Sequence, residues 1–479
     1  MPVLTLLGAA MLLSPCRIEH PSRTVSWPAE CGTLSVAENA SRPNGRHIQL
    51  FVARVPAISR RKQADPLFVL AGGPGMAATT MYSGVASTFA RIGRDRDVVL
   101  VDQRGTGQSN PLSCKSLDPN SADPEFVSLD ATRIAQLSRN CLESLARKAD
   151  VTQYTTSVAV LDLDRVRAAL GYERINIYGV SYGTRVAQHY LRRFPQHVRS
   201  LILDGVIAPG QVVGPGMALD AENSLAAVLQ RCANDALCDK RFGDPRADYR
   251  KLREQLTQTP MQLTIADPTS GEAKSLRFGV EQLAAVLRLQ VYSSLTASLL
   301  PIALHAAATR NNFSALAGQF LLTTRNVDEA LAVGMHNSVL CTEDIPFIDP
   351  KDIDRGRLQA TFMGPRLLDG LRAICSVWPR GSLDRDFHAP LRSATPTLLL
   401  SGSADPVTPA AFANNAAHNY SHARQILVPG MGHGQLTIPC MDRVMADFLR
   451  DAAPATLDVS CLATARAAPF FITPNGPSP

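Results

Sequence analysis

A serine, a histidine and an aspartate occur in this chain in the settings and order that acyl-transfer chemistry needs. Ser181 lies in Gly179-Val180-Ser181-Tyr182-Gly183, between an apolar run, Ile175 to Tyr178, and a segment with helix-forming character, Thr184 to Arg193. A serine held on a sharp strand-to-helix turn by flanking glycines presents its hydroxyl as a nucleophile at the top of a sheet. The five-residue pattern alone says little. It gains meaning from two loops downstream. Thr397 to Leu400 reads as a buried strand and is followed by Ser401-Gly402-Ser403-Ala404-Asp405-Pro406, which puts Asp405 just past a strand end. Gln425 to Val428 reads as the next strand, and Pro429-Gly430-Met431-Gly432-His433-Gly434 puts His433 directly after it. His433 can take the Ser181 proton as general base, while Asp405 fixes the imidazole tautomer. The chain has ten histidines, but the nearby His418 and His422 precede the strand, on the wrong side of it.

The developing oxyanion needs two backbone N–H donors, one following the nucleophile and one from a loop after an early strand. Leu67 to Leu70 is such a strand and leads into Ala71-Gly72-Gly73-Pro74-Gly75, so Gly73 and Tyr182 are the expected donors. Val98 to Val101 leads into Asp102-Gln103-Arg104-Gly105-Thr106-Gly107-Gln108-Ser109, where Asp102 and Arg104 are expected to form an internal ion pair that shapes the loop.

The chain resembles the secreted prolyl-iminopeptidase and tripeptidyl-aminopeptidase group of α/β-hydrolase serine exopeptidases. The resemblance rests on Gly72-Gly73-Pro74-Gly75, the Asp102 to Ser109 loop, Tyr178 to Thr184, Leu203-Asp204-Gly205-Val206, Asp405-Pro406-Val407-Thr408-Pro409 and Gly432-His433-Gly434. Two positions depart from it: Ala71 stands where prolyl iminopeptidases carry a histidine, and Met76-Ala77-Ala78 replaces a Ser-Gly of the tripeptidyl type. The resemblance implies a mostly parallel central sheet flanked by helices, with an inserted helical lid. It also implies hydrolysis of peptide bonds near a free amino terminus, releasing one residue such as proline or a short peptide. An acidic residue after a lid cysteine captures the substrate amine in similar enzymes, which points to Glu343, then Asp344, in Cys341-Thr342-Glu343-Asp344.

Ten cysteines fall in locally spaced couples, and an even count fits a disulfide framework without fixing its connectivity. The resemblance favours Cys16 with Cys31, Cys114 with Cys141, Cys232 with Cys238, Cys341 with Cys375, and Cys440 with Cys461. Such pairing implies export to the periplasm or beyond the cell.

These sites need a frame. The interval between the strand Ser200 to Leu203 and Thr397 is too long for one crossover helix, and residues 209–388 read as a mostly helical lid: Leu219 to Arg231, Ala247 to Gln258, Val280 to Leu289, Ser298 to Ala308, Val327 to Val339 and Pro365 to Ile374. Core parts are expected at 16–208 and 389–479, the latter with a disulfide-linked tail. An insertion at the carboxyl edge of a parallel sheet sits over the ligand crevice. The apolar run Val3 to Leu13 has the length of a signal-peptide core, within a possible signal segment 1–15, although no Lys or Arg precedes it; the alternative is a buried strand.

Composition narrows the remaining classes. Hydrophobic residues make up 45% of the 479, ample for a large core, and no run reaches the roughly 18 to 20 apolar residues of a membrane span. The net charge of +6 is spread without a basic cluster, which excludes nucleic acid as a partner class. No Cys/His zinc spacing or phosphate-loop glycine pattern occurs, so no metal or nucleotide cofactor is expected. The expected partner is a peptide or small-ester substrate; oligomeric state is not encoded in a readable way. A carboxylesterase or lipase on the same triad is the alternative function, and a non-catalytic binding protein a third. Dehalogenase and epoxide-hydrolase chemistry would need an aspartate where Ser181 stands.

Overall fold

Continuous apolar runs such as Leu67–Leu70 and Val98–Val101 bury every side chain, as strands covered by helices on both faces must. A computed structural model describes residues 11–20, 22, 24–114 and 130–477. In chain order the main-sheet strands are β1 (Ser14–Glu19), β2 (Ser26–Ala37), β3 (His47–Val55), β4 (Leu67–Leu70), β5 (Val98–Val101), β6 (Ile175–Val180) and β7 (Val198–Asp204). A hairpin, β8 (Met261–Ala266) and β9 (Ala273–Phe278), stands apart, and β10 (Thr397–Gly402) and β11 (Ala423–Val428) complete the main sheet. Its order is β1-β2-β3-β5-β4-β6-β7-β10-β11. From β5 to β11 every neighbouring pair is parallel, while β1, β2 and β3 form an antiparallel edge. This is the expected α/β-hydrolase architecture.

The order contains its own pointer to a ligand site. The chain passes from β4 outward to β5, then returns to β6 on β4's other side, so the carboxyl ends of β4 and β6 flank a topological switch point. Gly72 and Ser181 follow those two strands. One face of the sheet packs under Thr156–Ala169 and Tyr182–Arg193, around Val160, Val186 and Leu203. The other packs under Ala78–Val85 and Met441–Asp451, around Tyr82, Val444 and Phe448.

Between β7 and β10 the chain builds a second core around Leu225, Leu252, Leu287 and Phe320. The mostly helical segment also carries one hairpin: Met261–Ala266 pairs antiparallel with Ala273–Phe278, with outward and inward positions alternating along Met261–Ala266. One expectation is corrected here. The helix expected over Val327 to Val339 is split. Ser314–Ala330 ends, Leu331 bridges Met76, and a new helix runs Val333–Glu343. This second helix leaves the insertion's core, and its Met335 and Val339 join the main-sheet cluster with Leu112, Leu145 and Trp378. The tail also crosses over, placing Phe470 and Ile472 in the insertion's core.

All ten cysteines are paired, as Cys16–Cys31, Cys114–Cys141, Cys232–Cys238, Cys341–Cys375 and Cys440–Cys461. Each bridge of this local kind contributes on the order of 2 to 4 kcal/mol by restricting the unfolded chain. Among the described residues no helix is long and apolar enough to cross a membrane. Most of the possible signal segment, residues 1–10, lies outside the described residues.

Candidate active site

Ser181 adopts φ 56° and ψ −123° between β6 and the helix Tyr182–Arg193. A non-glycine residue in this region costs on the order of 1 to 3 kcal/mol and persists only where its surroundings over-determine it. They do so from three directions. The Ser181 N–H donates to the Asp204 carbonyl at 2.8 Å, and the Ser181 carbonyl accepts Thr184 N at 2.9 Å and Thr184 Oγ1 at 2.6 Å. Gly183 is required by close approach, since a Cβ there would lie 2.4 Å from the Leu70 carbonyl oxygen.

The loops after β10 and β11 bring Asp405 and His433 together. Nδ1 of His433 donates to Asp405 Oδ2 at 2.8 Å, which leaves Nε2 with a free lone pair in the neutral ring. Asp405 is oriented by its own loop: Val407 N and Thr408 N donate to Oδ1 at 2.8 Å, and Thr408 Oγ1 donates to Oδ2 at 2.8 Å. Burial pushes the Asp405 carboxyl up, but the charge and hydrogen bond of His433 and these N–H groups outweigh it, holding the group below the usual carboxylate range. Burial in turn pushes the His433 imidazole down; Asp405, with a smaller contribution from Asp204, outweighs it and holds it above the ordinary value of 6.5.

His433 is also gripped by the insertion. Its N–H donates to the Tyr292 carbonyl at 2.7 Å, and the two rings meet edge-on with centroids 5.4 Å apart. On the sheet side, Val180 Cγ2 lies 3.8 Å from where a Cβ would sit on Gly434. The residue before Ser181 and the residue after His433 are thus packing neighbours.

The Ala71–Gly75 loop runs directly beside the serine: a Cβ on Gly72 would lie 3.0 Å from Ser181 Cβ and 3.6 Å from Oγ. Gly73 holds φ 111°, a region that only glycine enters freely, and the Gly73-Pro74 bond is cis. Tyr182 is the first residue of its helix, so its N–H has no intrahelical acceptor and is available to a ligand. The insertion fixes the loop from outside. Ala332 N donates to the Gly75 carbonyl at 3.0 Å, Leu331 bridges Met76, and His336 Nδ1 donates to the Pro74 carbonyl at 3.0 Å. Burial holds the His336 imidazole below its ordinary value, so the ring is neutral.

Asp102 and Arg104 do not pair with each other, which corrects the expected loop. The Arg104 guanidinium is fully buried and forks onto Asp162 at 2.7 and 3.0 Å. Asp102 instead accepts Thr79 N at 3.0 Å and Gln108 N at 3.1 Å. Asp162 lies on the helix Thr156–Ala169 packed beneath the loop, where the buried guanidinium meets it.

Glu343 and Asp344 are likewise corrected as open ligand groups. Both are fully buried. Glu343 accepts Thr156 N at 2.7 Å and Thr156 Oγ1 at 2.9 Å, and Thr156 Oγ1 also bonds the Tyr182 hydroxyl at 2.7 Å. Asp344 is paired in bidentate fashion with Arg185 at 2.7 and 2.8 Å and accepts Val213 N at 2.7 Å. Glu343 thereby fastens the end of the helix Val333–Glu343 to the helix Thr156–Ala169, and Asp344 fastens it to the helix Tyr182–Arg193. Burial pushes the Glu343 carboxyl up to about 7, with Arg185 and Thr156 opposing.

Tyr292, His336, Thr156 and Arg185 carry no signal in the sequence, and Asp204 and Thr408 stand in the motifs without an assigned role. No local pattern distinguishes the first four; they matter through contacts made far along the chain. Among the described residues no group of three His, Cys, Asp or Glu side chains could hold a metal ion.

The family model described as alpha/beta hydrolase fold matches residues 65–239, and that described as TAP-like protein matches residues 360–461. Serine protease Hip1 of Mycobacterium tuberculosis is 28% identical over 434 residues, covering 84% of this chain and 81% of the relative. Carboxylesterase B of the same organism is 30% identical over 422 residues, covering 80% and 76%. Tripeptidyl aminopeptidase of Streptomyces lividans is 32% identical over 198 residues, covering 38% and 36%. With family models matching residues 65–239 and 360–461 and a relative 30% identical over 80% of its length, the chain belongs to the α/β-hydrolase family, as a serine hydrolase with the TAP-like region.

Proposed function

We propose that this protein is an exported serine exopeptidase that hydrolyses peptide bonds near a free amino terminus. The observation that carries the reading is the His433–Asp405 pair, on a loop whose Gly434 packs against Val180, the residue before a serine held at a strained elbow, with the Gly72–Met76 loop strapped to the overlying insertion.

Ser181 Oγ attacks the substrate carbonyl carbon as His433 Nε2 takes its proton. The new oxyanion receives the N–H groups of Gly73 and Tyr182, and Asp405 stabilises the imidazolium. Collapse breaks the C–N bond, with the His433 proton going to the leaving amine, and leaves an acyl-Ser181. Water then attacks that ester with His433 as base, releasing the amino-terminal product and restoring the serine. Residues 209–388 act as the lid between core parts 16–208 and 389–479, excluding water and selecting substrates. The peptidase names of Hip1 and the Streptomyces enzyme support the substrate class. Five disulfides support export to an oxidising compartment.

The matched substrates prolyl-naphthylamide and its amino-blocked form test the reading, with a tripeptidyl-naphthylamide pair alongside. The expected result is cleavage of the free-amine compounds only, abolished in Ser181→Ala. Turnover of short nitrophenyl esters with no amide cleaved would favour instead a carboxylesterase, the reading supported by the 30% identity to carboxylesterase B.

A further inference from the structure

The core holds the His433 imidazole along one edge. Asp405 Oδ2 accepts its Nδ1 proton at 2.8 Å. The turn after β7 lies against the same edge: a Cβ on Gly205 would come within 2.9 Å of Cε1 and 3.2 Å of Nδ1. A hydrogen bond at one ring atom fixes that atom and leaves the ring free to rock about it, because the χ2 torsion of histidine is broad. Aiming Nε2 at Ser181 therefore needs a further restraint.

The insertion supplies one. Tyr292 meets the imidazole ring to ring, with centroids 5.4 Å apart and planes at 77°, and its carbonyl accepts the His433 N–H at 2.7 Å. Crossed rings at this separation attract, since the edge of one carries positive and the face of the other negative partial charge. The two backbones have come as close as they can, for a Cβ on Gly432 would overlap the Tyr292 carbonyl.

Tyr292 keeps its place because its own segment is tied down. At the end of the helix Val280–Gln290, Val291 N and Tyr292 N donate to the carbonyls of Leu287 and Leu289 at 3.2 and 3.3 Å. Val291 is buried in the insertion's core with Leu287 and Leu300, and Thr296 Oγ1 closes the corner on the Gln290 carbonyl at 2.6 Å. Among the described residues nothing bonds the Tyr292 hydroxyl, so the ring and the carbonyl are what this residue brings to His433.

We propose that Tyr292 is a positioning residue that keeps the His433 imidazole aimed at Ser181, so that the catalytic histidine is complete only while the insertion is seated on the core. The inference rests on the Ser181–His433 reading and is independent of which substrate is cleaved. During acylation Nε2 takes the Ser181 proton and then gives it to the leaving group, so the ring must hold its aim through two proton transfers. A displaced insertion withdraws both Tyr292 contacts at once and leaves the imidazole with its core contacts alone. The insertion thereby couples serine activation to its own closure, beyond covering the cleft.

Labelling of Ser181 by a small alkyl fluorophosphonate tests this without a peptide substrate. The second-order rate is measured in wild type, Tyr292→Phe, Tyr292→Leu and Tyr292→Ala, each also combined with His433→Ala, with unfolding midpoints alongside. Tyr292→Phe keeps the ring and is expected to match wild type within about twofold. Tyr292→Leu and Tyr292→Ala are expected to label at least about tenfold more slowly. Combined with His433→Ala, the same substitutions should leave the rate unchanged, because a residue that acts through the imidazole has nothing left to position. Equal slowing with and without His433 would overturn the inference, as would wild-type rates in Tyr292→Ala or a loss in Tyr292→Phe as large as in Tyr292→Ala. Wild-type labelling that does not depend on His433 would overturn the triad reading itself and the inference with it. If Tyr292→Ala does not fold, Tyr292→Leu decides the comparison.

Discussion

Asp204 joins the nucleophile to the histidine loop: its carbonyl accepts Ser181 N–H at 2.8 Å, and its carboxylate accepts Gln435 N–H at 2.8 Å, two residues beyond His433. One residue at the end of β7 thereby sets the spacing between two catalytic loops that lie 252 residues apart in the chain (433 − 181). Asp204 also accepts the Tyr178 hydroxyl at 2.8 Å, so its removal leaves two buried donors without an acceptor. Asp204→Ala is expected to lower the unfolding free energy by about 2 to 4 kcal/mol, measured by urea denaturation. A loss below about 1 kcal/mol would show that the loops are held by other contacts.

His433 must be neutral to accept the Ser181 proton, and Asp405 holds its imidazole above 6.5 against the opposing effect of burial. The ascending limb of kcat/KM against pH is therefore expected above pH 6.5. Asp405→Asn removes the charge that raises the imidazole and favours the wrong tautomer, so the limb should move to lower pH while kcat falls by about 10⁴-fold. A limb that stays in place would mean that another group controls the profile.

The strap across the oxyanion loop makes His336 a positioning residue. His336→Ala leaves the Pro74 carbonyl without its donor, and kcat is expected to fall about tenfold with KM little changed, since misplaced oxyanion donors weaken the transition state more than the ground state. His336→Asn keeps a short N–H donor and should restore much of kcat. Equal unfolding midpoints with unequal kcat values in the two variants separate positioning from simple stability. If both variants lose stability but keep kcat, the strap is structural only.

Glu343 carries a different signature. Its folded-state value, about 7, is above the ordinary 4.5, so the unfolded chain gives up this proton first as pH rises. Stability should then decline between pH 4.5 and about 7 and level off above, by up to about 3 kcal/mol. Glu343→Gln removes the ionisation, and its denaturation free energy is expected to lose that component of the decline. Parallel wild-type and mutant curves would place the Glu343 ionisation elsewhere.

The parts of this fold that were legible in the sequence are those whose cause is local. Four-residue apolar runs ending in glycine-rich turns identify β4, β6, β10 and β11, and the residues just past them are Gly72, Ser181, Asp405 and His433. The partner of Arg104, Asp162, lies 58 residues away on a helix whose packing no spacing reveals, so the loop alone points to Asp102 instead. An acidic pair after a cysteine, as at Glu343 and Asp344, looks the same in the sequence whether it points inward or outward. Arg185 and Thr156, which draw the pair inward, lie more than 150 residues upstream. The β8–β9 hairpin did leave a signal, the alternation of Gln262-Leu263-Thr264-Ile265 before the turn residues Asp267 and Gly271, and it was lost among the surrounding helices. The split at Leu331 left none, since the helix is interrupted by a bridge to Met76 rather than by a glycine or proline.

The most direct test of the central claim is the intact mass of the oxidised protein after brief exposure to an alkyl fluorophosphonate, followed by peptide mapping. A single adduct on Ser181 is expected, formed in step with loss of activity, absent in Ser181→Ala and strongly slowed in His433→Ala. An unmodified Ser181 in protein that has lost its activity, or labelling that proceeds equally without His433, would contradict a Ser181 acyl-enzyme activated by His433.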